Sequence, residues 1–305
     1  IFNNGYASGV VNQLPWNTSA CTSMNGMFAY CPAFNSNLGI GTTPWDVNKV
    51  ITFSSMFQGA TNFNNGNNSA PINNWNINTI SSVSMVGMFN NTSMFNQDIS
   101  SWNVSQVTTM GGMFAYASVF NQPLTNWERI GSTLANVTNM ENMFLSCPSF
   151  NQSIGNWNIS SVTNFADFML TKTPATYSST NLDAIYNGWI VNGVKPNITI
   201  SFGTAKYSLA GKAGKDALLA SPNNWTITDG LLTVSGTSNN GGLIRVTTTA
   251  AHGFTTGNSV YIYGVNGTTN ANGTWTVTVI SSVVIQLNSS VYNAAWTSGG
   301  NVILG

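Results

Sequence analysis

Few side chains in this sequence could carry acid–base, nucleophilic or metal chemistry. There is one histidine, His252, in the turn-like run AHGF. A serine–histidine–acid relay needs a histidine placed between a nucleophile and an acid. The acid nearest in sequence to His252 is Asp229, and no nucleophile-elbow pattern occurs. A structural turn role is the expectation for His252. One histidine and three cysteines do not supply the three or four closely spaced ligands of a zinc site. Glycoside hydrolysis needs two carboxyl groups close in space. Asp46, Asp98, Glu128, Glu141 and Asp167 are scattered along the chain and read as solvated turn acids. Lys206, Lys212 and Lys215 form a basic cluster that reads as a solvated helix face. The expectation is therefore no catalytic residue, no metal and no cofactor, with a carbohydrate-acting enzyme kept as a remote alternative.

Composition narrows the partners. Charged residues make up only 5% of the chain, against roughly 25% in an ordinary soluble domain. Eight basic and eight acidic residues cancel, so no basic stripe exists to neutralise phosphates and no nucleic-acid partner is expected. No apolar run approaches a 20-residue span, so no transmembrane segment is expected. The chain opens on Ile1 with no signal-peptide core behind it, which reads as a processed or trimmed product. A surface of neutral amides and hydroxyls gives little colloidal repulsion. That suits a homo-oligomer or a member of a larger assembly.

The elements that would position these residues follow from a repeat. Met-Phe, then five residues, then Phe-Asn, occurs five times. The first Phe is Phe28, Phe57, Phe89, Phe114 or Phe144. The second is Phe34, Phe63, Phe95, Phe120 or Phe150. The asparagine is Asn35, Asn64, Asn96, Asn121 or Asn151. A tryptophan follows each copy: Trp45, Trp75, Trp102, Trp127 and Trp157. The Phe-to-Phe spacing never changes, while all lengthening falls in two windows around the tryptophans. A stack of coils behaves this way, because edge loops can grow and the packed part cannot. These residues form the expected structural ladder.

Within a unit, Trp102 and Val104 alternate as a short strand. Met110, Met113, Phe114 and Ala117 fall at i, i+3, i+4 and i+7, which is one face of a short helix. The recurrent asparagine is expected to hydrogen-bond backbone in a tight turn. A degraded sixth copy, with Phe165, Phe168 and Met169, follows Trp157 and lacks the closing Phe-Asn. Cys31 and Cys147 hold the same place in their units, aligned with Ala60, Thr92 and Ala117, and read as buried free thiols. They sit too many coils apart to bridge each other. A Cys21–Cys31 pair stays open as an alternative.

The runs FNQDISSWNVSQVTTMGGMF (95–114) and FNQSIGNWNISSVTNFADFM (150–169) resemble the BspA-type leucine-rich-repeat family, over about residues 16–170. The resemblance implies an α+β repeat solenoid of about six coils, each one short strand plus a short helix. It also implies a surface-exposed protein that binds other surfaces and has no catalytic residues to transfer. Residues 171–230 resemble the cap that follows such repeats, with helices near Leu182–Val191 and Gly211–Ala220. Residues 231–242 read as a strand running into a flexible Gly/Asn turn or linker. Five β-branched or aromatic runs over 243–305 suggest a small barrel or sandwich. The string VTTTAAHGFTTGNSVYIYGVNGTTNANGTWTV resembles a β-module of phage tail, fibre and virion-decoration proteins.

The expected organisation is thus repeats over 1–170, an α/β cap over 171–230 and a small all-β domain over 231–305. The expected role is a non-enzymatic virion surface component, a fibre or capsid decoration. Its partners would be other virion or surface proteins and a host glycan or protein receptor. The alternative is a bacterial secreted or cell-surface adhesin. Binding is expected in the variable loops at 36–44 and 65–74.

Overall fold

The structure is a computed structural model that describes residues 16–38, 45–67, 72, 75–77, 82–124, 127 and 134–305. It divides into two compact units: Ile1–Ala205 with Gly214–Asp229, and Lys206–Ala213 with Gly230–Gly305.

In the first unit the repeats stack on one another through backbone hydrogen bonds. Parallel bridges join Ser23 to Thr52, Thr52 to Ser84, Thr109 to Asn139, and Asn139 to Asn164. Between them β1 (Val83–Ser84) and β2 (Val107–Thr109) pair in parallel as short strands. Downstream of each bridge the chain runs through consecutive turns, and its N–H groups alternate in direction. In the fourth copy Met113, Ala115 and Ala117 donate back three residues. Met110, Gly112, Phe114 and Tyr116 donate instead to the next copy, at Asn139, Glu141, Met143 and Leu145. Half of each segment's donors are thus satisfied only by the neighbouring copy, which is why one copy cannot fold alone.

This overturns the expected α+β solenoid of about six strand-plus-helix coils. Among the described residues both α-helices lie outside the Met-Phe repeats, and the chain is otherwise dominated by turns and strands, with a closed β-barrel at its end. The reason is local. Gly112 and Tyr116 have φ of 62° or 61°, in the left-handed region, as do Gly87 and Asn91, and Asn142 and Ser146. A right-handed helix cannot pass through such residues. A run of three-residue turns still brings i, i+3, i+4 and i+7 inward, so it copies the helical pattern. The expected strand at Trp102–Val104 is irregular too, although both side chains are buried, and the pairing falls at Val107–Thr109.

The stack closes on the segment 171–230. Helix α1 (Ser179–Trp189) starts at Ser178, whose hydroxyl accepts the Asn181 N–H. It delivers Trp189 to the end of the tryptophan column, where the indole donates to Ile154 O at 2.9 Å. β3 (Thr199–Ser201) extends the bridge ladder through Phe165 and Ile200, and pairs in parallel with β4 (Thr226–Thr228). Helix α2 spans Leu209–Leu219.

The second unit is a barrel. β5 (Leu232–Asn240), β6 (Leu243–Thr248), β7 (Ser259–Tyr263), β8 (Gly273–Val279), β9 (Val284–Leu287) and β10 (Asn301–Leu304) close in the order β10-β5-β6-β9-β8-β7. Its core is small and β-branched, with Val234, Ile244, Val246, Val260, Ile262, Val277, Ile285 and Val302 buried. The strand expected over 231–242 is β5, which pairs with both β6 and β10, and the Gly/Asn stretch that ends it is a turn inside the barrel and not a linker. Gly241 and Gly242, both at positive φ, turn it directly into β6.

Candidate functional site

The repeated residues are used up in holding the stack. The first phenylalanines, Phe28, Phe57, Phe89, Phe114 and Phe144, form a column with ring centroids 5.5–5.8 Å apart. The second, Phe34, Phe63, Phe95, Phe120 and Phe150, form a parallel column at 5.6–6.0 Å. Trp45, Trp75 and Trp102 stack at 6.2 and 5.9 Å, and Trp127 on Trp157 at 5.9 Å. All of these rings are buried, and burying one such side chain is worth about 1.5–3 kcal/mol. The columns end where Phe168 meets Phe144 edge-on.

The asparagines do bond backbone, but not inside their own turn. Each side-chain oxygen accepts the N–H of the next asparagine along. Asn35 accepts from Asn64, Asn64 from Asn96, Asn96 from Asn121 and Asn121 from Asn151, at 2.8–3.0 Å. Asn151 accepts from Ser178, and Asn181 of α1 caps the series. Beside this ladder runs the small position of Cys31, Ala60, Thr92, Ala117 and Cys147. Thr92 donates to Phe57 O and Cys147 to Ala117 O. The sixth copy places Lys172 there, and its ammonium reaches Cys147 O and Phe150 O, both at 2.5 Å. Burial pulls the Lys172 ammonium down from 10.5 to about 8, and pushes the Cys147 thiol up to about 12. Cys21, Cys31 and Cys147 are all free thiols, so the Cys21–Cys31 pair is not formed.

The residues that could do chemistry lie apart. His252 is buried, with Nε2 on Ser281 O and Nδ1 accepting the Phe254 N–H. Asp46 and Asp98 accept the N–H groups of Asn48 and Ser100 in local turns. Glu141 holds the Asn164 amide. Glu128 lies outside the described residues. The solvated lysine face is corrected: Lys215 is buried against Asp229 at 2.6 Å, Lys206 donates to His252 O, and Lys212 lies over the Tyr263 ring. Among the described residues no group of three or more His, Cys, Asp or Glu could hold a metal. No helix there is long and apolar enough to cross a membrane.

Among the side chains that the stack leaves outside, one row recurs at a fixed place in each copy. Two residues past each first phenylalanine stand Tyr30, Gly59, Asn91, Tyr116 and Ser146, all at positive φ. Tyr30, Asn91 and Tyr116 are exposed. The loops expected to bind, 36–44 and 65–74, lie partly outside the described residues. In their described parts Leu38 and Asn65 are buried, with the Leu38 N–H donating to the Asn65 side-chain oxygen, while Gly66 and Asn67 are exposed.

A family model described as "Mycoplasma protein of unknown function, DUF285" matches residues 11–84 and 65–184. The chain belongs to this family. The BspA-like repeat resemblance is thereby established at the level of the family. No curated protein matches the chain. Within these DUF285 repeats the motif residues are the interior, and sequence reasoning missed two positions that matter. One is Lys172, which a sixth-copy alignment with Cys147 would have found. The other is the outward row, whose Gly, Asn and Ser signalled left-handed backbone and whose two tyrosines did not fit that signal.

Proposed function

We propose that this DUF285 chain is a non-enzymatic, surface-displayed structural and adhesive protein, carried on a virion as a fibre or capsid-decoration component. The observation that carries the reading is the division of the repeats. The recurrent Phe and Trp rings, the ladder asparagines and the Cys31 and Cys147 thiols face the interior or the neighbouring copy, and the outward row carries no ionisable group except tyrosine hydroxyls. Such a face offers recognition and display, not acid–base chemistry. The absence of net charge argues against a nucleic-acid partner, and favours other virion or surface proteins and a host receptor. The particle rests on the likeness of the C-terminal β-module to those of phage proteins. A bacterial secreted or cell-surface adhesin is the second reading, favoured by membership in a family of BspA-like surface repeats.

Proteomics of purified virions and of peptides shaved from intact host cells tests this. Recovery of the chain from virions is the expected result. Recovery from shaved cells alone would select the second reading. Recovery only from the soluble cell interior would overturn both. Release of reducing sugar from a polysaccharide panel by the purified chain would overturn the non-enzymatic part.

A further inference from the structure

The outward row closes into a cleft of about 360 Å3 lined by Tyr30, Gln58, Gly59, Asn90, Asn91 and Tyr116. Tyr30 comes from the first copy and Tyr116 from the fourth, with the second and third supplying the floor. Rungs of 5.5–5.8 Å separate these copies, as the ring columns record. The floor is held by the backbone ladder. The Tyr30 N–H donates to Gln58 O, Gly59 to Asn90 O, Asn91 to Ala115 O and Tyr116 to Leu145 O. These are the inter-copy bonds of the stack, so the floor of the cleft is preformed.

Three features of the cleft point to a ligand. First, the two tyrosines are out of place by local conformational preference. They stand at φ of 55° and 62°, where sister copies carry Gly59, Asn91 and Ser146. A bulky residue rarely adopts that backbone. The two residues are 63% and 49% exposed, so interior packing does not compensate. Second, the Tyr30 ring lies down on the floor. A Cβ added to Gly59 would approach its Cδ1 to 2.9 Å. Third, the polar groups are unspent. The side chains of Gln58, Asn90 and Asn91 and both tyrosine hydroxyls have no hydrogen-bond partner among the described residues. No Asp, Glu, Lys, Arg or His lines the cleft.

Aromatic faces flanking a floor of free amides, with no charge, match a ligand that has an apolar ring face and a rim of neutral hydroxyls. We infer that the Tyr30–Tyr116 cleft binds a neutral saccharide chain, whose pyranose C–H faces pack on the two rings while its hydroxyls bond Gln58, Asn90 and Asn91. The length of the row, four copies, favours a short oligosaccharide over a single sugar. An anionic glycan would find no cation here, and a phosphate no donor cluster. This deepens the adhesive reading and rests on it.

The test is a titration of the full chain with three probes: cellohexaose, maltohexaose and the hexamer of N-acetylglucosamine. NMR follows the tyrosine ring resonances, and calorimetry gives the affinity. At least one probe is expected to bind and to shift the Tyr30 and Tyr116 rings. Tyr30→Asn and Tyr116→Asn, which install the residue the third copy already tolerates, should each weaken binding about tenfold or more at unchanged Tm. Failure of all three probes to move either ring overturns the inference. So does binding that survives the double Asn variant. Either failure, alongside recovery of the chain from virions or shaved cells, leaves the surface reading standing and removes only the saccharide site.

Discussion

The backbone N–H of Asn121 donates to the side-chain oxygen of Asn96 at 2.9 Å, one copy away along the stack. The same bond recurs down the Asn column, so each asparagine holds the copy that follows it. Replacing Asn96 by Ala would leave the Asn121 N–H without its acceptor. Leaving a partly buried donor unpaired costs about 1 kcal/mol, the low end of the range for a buried one. Asn96→Asp keeps an acceptor in place and is expected to recover most of that loss at neutral pH. Thermal denaturation of both variants checks this. Equal losses for Ala and Asp would show that the bond does not contribute.

Trp102 is fully buried, stacks 5.9 Å from Trp75 and donates to Ile72 O at 2.7 Å. Truncation to Ala is expected to cost about 3–5 kcal/mol, a large share of the roughly 5–15 kcal/mol that a folded domain has. The repeat unit should melt early or fail to fold, as judged by near-ultraviolet circular dichroism. A variant with near-native Tm would mean the tryptophan column is not the core.

The sequence made these columns legible because a constant Phe-to-Phe spacing survives only where side chains are packed. The turn conformation was hidden by a coincidence: three-residue turns and a 3.6-residue helix bring the same positions inward over two turns. The deciding signal was the row of Gly26, Ser55, Gly87, Gly112, Asn142 and Asp167, all left-handed, two residues before each first aromatic or its Met169 counterpart. The asparagine's partner was not readable, because it lies at least 25 residues away. The Tyr30–Tyr116 cleft was hidden for the same reason, since only the stacking of four copies brings its walls together. The strands of the barrel, β5 included, were legible, while the choice between a barrel and a sandwich was not.

Lys172 makes stability depend on pH in a narrow window. Below about pH 8 its ammonium is charged in the folded and the unfolded chain alike, and folding carries the full cost of burying it. Between about 8 and 10.5 the unfolded chain binds more protons, so stability rises with pH, by at most about 1.4 kcal/mol per unit. Cys147 works the other way: above 9.0 the unfolded thiol ionises, while the buried one holds its proton to about 12. The net rise is therefore expected between about pH 8 and 9. Lys172→Met should flatten it, and Cys147→Ala should extend it upward. Melting curves taken across this range check the sign. An equally steep rise in the Met variant would remove Lys172 as its source.

β5 is a strand of the barrel, so its ladder amides should exchange slowly. Alternate N–H groups along Leu232–Asn240 are expected to show protection comparable to those of β6. Hydrogen exchange followed by NMR reads this residue by residue. Uniformly fast exchange from Ser235 to Asn240 would contradict the closed barrel.

The inward residues hold the stack, and the outward row is the surface proposed to meet the partner. One paired measurement tests it: Tm and retention on intact host cells, for the wild type, the Tyr30→Asn/Tyr116→Asn variant and Asn96→Ala. The tyrosine variant is expected to keep its Tm and lose most of its retention, while Asn96→Ala loses Tm and, below its melting point, keeps retention. Full retention by the tyrosine variant at unchanged Tm would contradict the claim.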